Sequence, residues 1–199
     1  MNLIYLFFFI LILPLSGQDD LLDILEDASS KPVIVESSFK GTRVVNAQSL
    51  ELPRPKILQF MIQHRFGSIE NGFYDLFGMD YATIRFDFHY GLTERLSFGV
   101  GRSSLDKIYD VFVKSKLLRQ STGPRSFPFS VLLYSDIGID TKRKSENDPA
   151  VKDEYLNRLL YVNQLIIGRK INRSLSLEIL PTLIHRNLVP TKEEDHDLA

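Results

Sequence analysis

The chain has 199 residues, of which 25% are charged and 44% hydrophobic, which suits one ordered domain and excludes a disordered tail. Its 24 basic and 25 acidic residues leave a net charge of −1, so no global field draws it to nucleic acid, and nucleic acid is not an expected partner. Cysteine is absent, which rules out disulfides, thiolate metal sites, a cysteine nucleophile and a lipidated cysteine anchor.

The N-terminus opens with an unbroken apolar run from Leu3 to Leu13, then Pro14 and the small residues Ser16 and Gly17. This is the layout of a cleaved signal peptide over 1–17, although no Lys or Arg precedes the run. The run is shorter than the roughly 18 to 20 apolar residues that a spanning helix needs. Residues 18–55 are expected to form a periplasmic N-terminal segment. Within it, Asp19 to Ala28 place Leu21, Leu22, Ile24 and Leu25 on one stripe of a short acidic helix. A polar, extended stretch follows and is closed by Pro53 and Pro55.

From Ile57 the pattern changes to period two, and seven strands are expected at about 57–66, 81–90, 95–102, 108–118, 129–140, 155–169 and 174–186. Tyr81 to Gly91 shows the principle: Ile84, Phe86 and Phe88 alternate with Arg85, Asp87 and His89. Side chains alternate sides along a strand, so one face is strongly apolar and the other polar. The same parity gathers Leu58, Phe98, Val100, Leu133 and Leu177 on the first face, and Gln59, Ser97, Asp110, Lys114, Lys116, Asp136 and Glu178 on the second.

A soluble exported β-sandwich would also alternate in this way. Strand length favours lipid instead, because a tilted membrane-spanning strand needs roughly 9 to 11 residues. The connections agree: 67–80 and 141–154 are long, whereas 91–94 and 171–173 are tight, which is the habit of transmembrane barrels. The connection 119–128 is long for a periplasmic turn and does not fit that scheme. The two tight turns match each other in type at nearly every place, from Leu92 to Ser97 and from Ile171 to Ser176. The expected fold is therefore an all-β, antiparallel, transmembrane up-and-down β-barrel over 56–199. Seven is an odd strand count and the chain ends in a polar stretch, so a C-terminally truncated barrel is expected.

The segments FKGTRVVNAQSLE, HRFG, LFGMDYATIR, YGLTERLSFGVGRS, KLLRQSTG and PTLIHRNLVP, spread from about Phe39 to Pro190, carry a resemblance to a known family. The chain resembles an uncharacterised outer-membrane β-barrel family of Gram-negative bacteria, a domain of unknown function. The resemblance implies the barrel and the outer membrane and implies no activity.

The candidate lumen residues are Arg65, Arg85, Asp87, His89, Lys114, Lys116, Glu178 and Arg186. His89 with Asp87 and Arg85 reads either as a base with its carboxylate or as a salt-bridged wall, and the wall is the expectation. Arg65 and Arg186 each close a strand on the side of the long loops, where they would meet an anionic solute or lipopolysaccharide phosphates. Gly99 and Gly101 lie inside a strand with no helix after them, so they are expected to leave lumen space and not to cradle phosphate. Ser97, Ser103 and Ser104 lack a nucleophile-elbow pattern and an assignable histidine partner. No enzyme activity, metal or cofactor is expected.

Two functions stay open: a channel or transporter for a small polar or anionic solute, and a structural or docking barrel that binds a periplasmic protein. Outer-membrane lipid and lipopolysaccharide are the other expected partners. The acidic helix 19–28 is expected to plug the periplasmic mouth, drawn to Lys114, Lys116, Arg119 and Arg125. On cell fractionation the protein should be found with outer membranes, with heat-modifiable gel mobility; intact protein in the soluble periplasm would favour the sandwich.

Overall fold

A computed structural model describes residues 31–142, 155–187 and 197–198. The expected signal peptide and the acidic helix 19–28 lie outside the described residues. The period-two region forms long antiparallel strands: β4 (Leu58–Arg65), β5 (Thr83–Gly91), β6 (Leu96–Ser103), β7 (Ile108–Leu118), β9 (Ser130–Asp140) and β10 (Leu159–Lys170). The seventh expected strand is split into β11 (Ser176–Ile179) and β12 (Thr182–Arg186), which both pair with β10. Pro181 lies in the break, where it has no N–H to give the ladder. The expected start of the sixth strand is instead a short 3₁₀ turn, Tyr155–Arg158.

Each long strand pairs with its neighbours in sequence order, so the sheet is an up-and-down meander, and it does not close among the described residues. Three short elements precede it: β1 (Val33–Ile34), β2 (Arg43–Val44) and β3 (Ala47–Gln48). The connection after β7 holds β8 (Ser121–Thr122), and β13 (Asp197–Leu198) lies beside β12.

The register keeps one surface apolar from edge to edge. Phe60 stands opposite Phe88, Ile62 opposite Phe86, Phe98 opposite Val113 and Leu165 opposite Leu133. These side chains are all exposed, and the Phe60 and Phe88 rings stack at 4.7 Å. The other surface is buried, and its most enclosed side chains include Lys114, Asp87, Ser97 and His89. It is called the inner face below.

The two matching turns fold alike. Leu96 O accepts from the amides of Leu92 and Thr93, while Leu175 O accepts from those of Ile171 and Asn172. Thr93 Oγ1 accepts from Arg95 N and Leu96 N, and Asn172 Oδ1 accepts from Ser174 N and Leu175 N. A short side-chain acceptor at the second position thus organises both hairpins. These turns and the connection 119–129 share one end of the sheet, the turn end. The loop 66–82, the connection 104–107 and the described residues 141–142 and 155–158 lie at the opposite loop end.

The long connection that fitted poorly at the turn end has a structural reason. Its β8 pairs with β1, Val33 opposite Thr122 and Ile34 opposite Ser121, so it docks the incoming chain. Gln120 reinforces the junction: its amide donates to Lys170 O at 2.9 Å and its Oε1 accepts from Lys170 N at 2.8 Å.

Phe86→Arg should impair folding into lipid by roughly 2–4 kcal/mol, the cost of a cation near the bilayer midplane, whereas Gln63→Ser on the inner face should have little effect. Urea unfolding in vesicles measures both; equal costs would reverse the two faces.

Candidate functional site in the barrel interior

The inner face is covered by the protein's own chain. Residues 39–55 fold over it as a compact segment around the β2–β3 hairpin, in which Arg43 pairs with Gln48 and Val44 with Ala47. Leu50 is the segment's apolar anchor and is only 1% exposed. It packs with Phe112 of β7, Leu132 and Tyr134 of β9 and Ile166 of β10, with Phe39 and Leu52 of the segment at the margin. Contact is close enough that two wall positions tolerate no side chain. A Cβ on Gly168 would come within 2.6 Å of Leu50 Cδ1, and one on Gly91 within 2.5 Å of Pro53 O.

Polar contacts hold the segment beside this anchor. Lys114 is fully buried, and its Nζ donates to Thr42 O at 3.1 Å, Ser49 O at 2.8 Å and Glu51 O at 2.9 Å. An ammonium group has three N–H donors, and each has a backbone carbonyl. Arg43 reaches the wall through Nη2 to Asp87 Oδ2 at 2.5 Å. With its amide oxygen turned inward, Gln48 accepts from Arg43 Nη1 at 2.9 Å. Thr42 Oγ1 donates to Gln59 Oε1 at 3.1 Å. Glu51 braces the segment from within, accepting from Ser38 N and Phe39 N.

Toward the loop end the wall pairs with itself. Arg85 makes a two-pronged ion pair with Asp110 and lies 3.6 Å from Asp87. Tyr134 Oη donates to Asp136 Oδ2 at 2.5 Å. One oxygen each of Asp87, Asp136, Gln164 and Glu178 is buried without a protein partner. Gln63 Nε2 and Arg85 Nε are likewise buried without one, so the interior wall keeps both acceptors and donors to spare.

The structure brings Arg85, Asp87, His89 and Lys114 together beneath the segment, and Lys116 lies half-buried nearer the turn end. Glu178 sits on β11, beside Gly168 and Leu50. Arg65 and Arg186 are exposed on β4 and β12, at opposite margins of the sheet, so they are not a pair among the described residues.

Four expectations change. Lys114 does not present a cationic mouth to the helix 19–28, because residues 42–51 occupy its three donors. Gly99 and Gly101 do not leave open space. A Cβ on Gly99 would meet the Phe112 ring at 2.7 Å, and one on Gly101 would meet Asp110 Oδ2 at 2.8 Å and the Arg85 guanidinium. Ser97 does have a histidine partner, since its Oγ lies 2.8 Å from His89 Nε2. That pair lacks an orienting carboxylate from Asp87, which turns to Arg43, and both residues are buried with the Phe112 ring against His89. It ties β5 to β6. Finally, residues 39–55, expected within a separate segment 18–55, lie against the inner face of the sheet.

The segment was missed because its grip uses backbone carbonyls, which no residue pattern marks. A signal for its apolar seat did exist. Val111-Phe112-Val113, Val131-Leu132-Leu133-Tyr134 and Leu165-Ile166-Ile167 are continuous apolar runs, as expected of strands covered on both faces.

Residues 39–199 match the family model described as a membrane bound beta barrel domain, DUF5777. The chain belongs to this family. The match opens at Phe39, where the covering segment begins, so the DUF5777 domain comprises the segment together with the wall. The exposed apolar surface is accordingly the membrane-facing one. No curated protein and no solved structure matches the chain.

Lys114→Met removes three charge-assisted hydrogen bonds, worth roughly 1.5–3 kcal/mol each when made to a charged group, and Gly168→Val displaces Leu50 from its seat. Both should speed amide exchange across 39–55 while the strands stay protected. Unchanged exchange in both variants would show that the segment is held by other means.

Proposed function

We propose that this DUF5777 protein is an outer-membrane channel or transporter for a small polar or anionic solute, exported by the signal peptide 1–17 and held shut by residues 39–55. The observation that supports this reading is the mode of attachment. The polar grip on the wall is the Lys114 ammonium, the Arg43–Asp87 ion pair and the Thr42–Gln59 hydrogen bond, the apolar grip is Leu50, and the tether is a two-residue pairing of β1 with β8. A plug held at a few points, on a tether at one mouth, is displaceable as a unit.

The turn end supports a path and its charge preference. A cleft of about 610 Å³ between the tether and the second tight turn is lined by the cations Lys40, Lys170 and Arg173, whereas a second of about 410 Å³ is mixed, with Arg54, Lys116 and Arg119 beside Glu36, Glu51 and Glu94. Cationic walls at an entrance concentrate anions. The tether exposes Val33 and Ile34 at the same end, where a periplasmic partner would take hold of it. Complete burial of Lys114, Asp87 and Ser97 favours a second reading, in which the filled barrel is structural and the tether is only a docking strand.

Planar-bilayer recording of the full chain separates the two. The chain has no cysteine, so Thr42→Cys with Gln59→Cys in a Lys114→Met background gives a segment that a cleavable thiol crosslinker locks and releases. Transport predicts silence when linked and anion-biased conductance after cleavage. Silence in both states, with amide exchange showing the segment released, would leave the structural barrel.

A further inference from the structure

The apolar outer wall is not uniform. A groove of about 510 Å³ crosses it on the loop-end half, between the phenylalanines 86 and 88 of β5 and the aliphatic side chains 137 and 139 of β9. Val100 and Val111, shorter than the side chains on either side, form its floor. The volume lies in the range that holds one ligand of modest size. Arg102 stands at the loop-end margin, with its guanidinium carbon 5.3 Å from the centre of the Tyr109 ring. Asp110 also borders the groove, but its carboxylate is bound to Arg85 on the inner face, so Arg102 brings the positive charge on the outer side.

We infer that this groove binds one anionic, phosphate-bearing membrane lipid, with an acyl chain over Val100 and Val111 and a headgroup phosphate on Arg102. The occupant follows from position and charge. The groove is continuous with the membrane-facing surface of the DUF5777 domain, so acyl chains are its solvent. Its one bordering outward cation sits near the strand end, where headgroups lie. Guanidinium presents paired N–H donors that match phosphate oxygens, and the aromatic ring beneath fixes its plane. The inference is independent of whether the interior conducts.

The chain contains no tryptophan, so Phe88→Trp supplies a sole reporter at the groove. The test reconstitutes full-length protein in phosphatidylcholine vesicles that hold equal mole fractions of chain-brominated phosphatidylglycerol or chain-brominated phosphatidylcholine. The expected result is an about fivefold preference for the anionic lipid in quenching, the ratio given by one cation near a membrane surface. Adding Arg102→Gln should abolish the preference, and adding Val111→Phe, which fills the floor and keeps the charge, should abolish it too. Phe98→Trp, on the turn-end half of the same surface, should show none. Equal quenching by the two lipids at Phe88→Trp, a preference that survives either added substitution, or an equal preference at Phe98→Trp would each overturn the site.

Discussion

A fully buried ammonium that spends all three of its protons on backbone carbonyls is the contact on which the interior depends. A sheet that turns its apolar side chains to lipid must turn its polar ones inward, and there they have two options, hydration or protein partners. Lys114 and Asp87 take the second through a segment that lies far away in sequence. An unpaired charge in a dry interior costs several kcal/mol, so the wall depends on the segment for partners that water must replace when the segment leaves. The converse also holds. The segment has two residues of β-structure per strand and one well-anchored leucine, too little to persist without the wall.

This division explains which parts of the molecule could be read in advance. The strands of the wall announce themselves, because lipid outside and polar groups inside impose a two-residue period on every one of them. The tight turns were readable for a similar reason, since Thr93 and Asn172 do their work through side chains whose chemistry is visible in the letters. Residues 39–55 carry no such mark. Lys114 would donate to the carbonyls of any residues, and what selects Thr42, Ser49 and Glu51 is the path of the chain. Arg43 and Asp87 are 44 positions apart, with nothing between them to indicate that they meet. The break at Pro181 was visible as a residue but not as an event, because an edge-side proline is tolerated where a strand bends.

The membrane-facing surface follows the same rule of satisfaction. Ser135 and Asn163 face outward near the middle of β9 and β10, and each is the other's partner, with Ser135 Oγ donating to Asn163 Oδ1 at 2.8 Å. Lipid offers no hydrogen bonds, so such a pair must close on itself. At the loop end the balance shifts toward exposed rings. Loop 66–82 presents Phe73 and Tyr74, 83% and 89% exposed, and holds Leu76 and Phe77 at positive φ. Its one buried carboxylate, Asp75, accepts from Asn71 Nδ2 at 2.5 Å, which fixes the loop from inside while its aromatics stay outside.

The three carbonyls on Lys114 lie 63 to 72 residues before it in the chain, and that separation sets an order of assembly. The segment is made before any strand of the wall, yet its principal partner is the middle of β7, which is itself aligned only when β6 and β9 are paired. Contacts so distant in sequence are slow to form, because the chain must lose most of its loop entropy before they reward it. The segment is therefore neither a finished module added to the wall nor an afterthought to it. Until the segment docks, Lys114 stands near the middle of the sheet without the three carbonyls to which it donates in the folded chain.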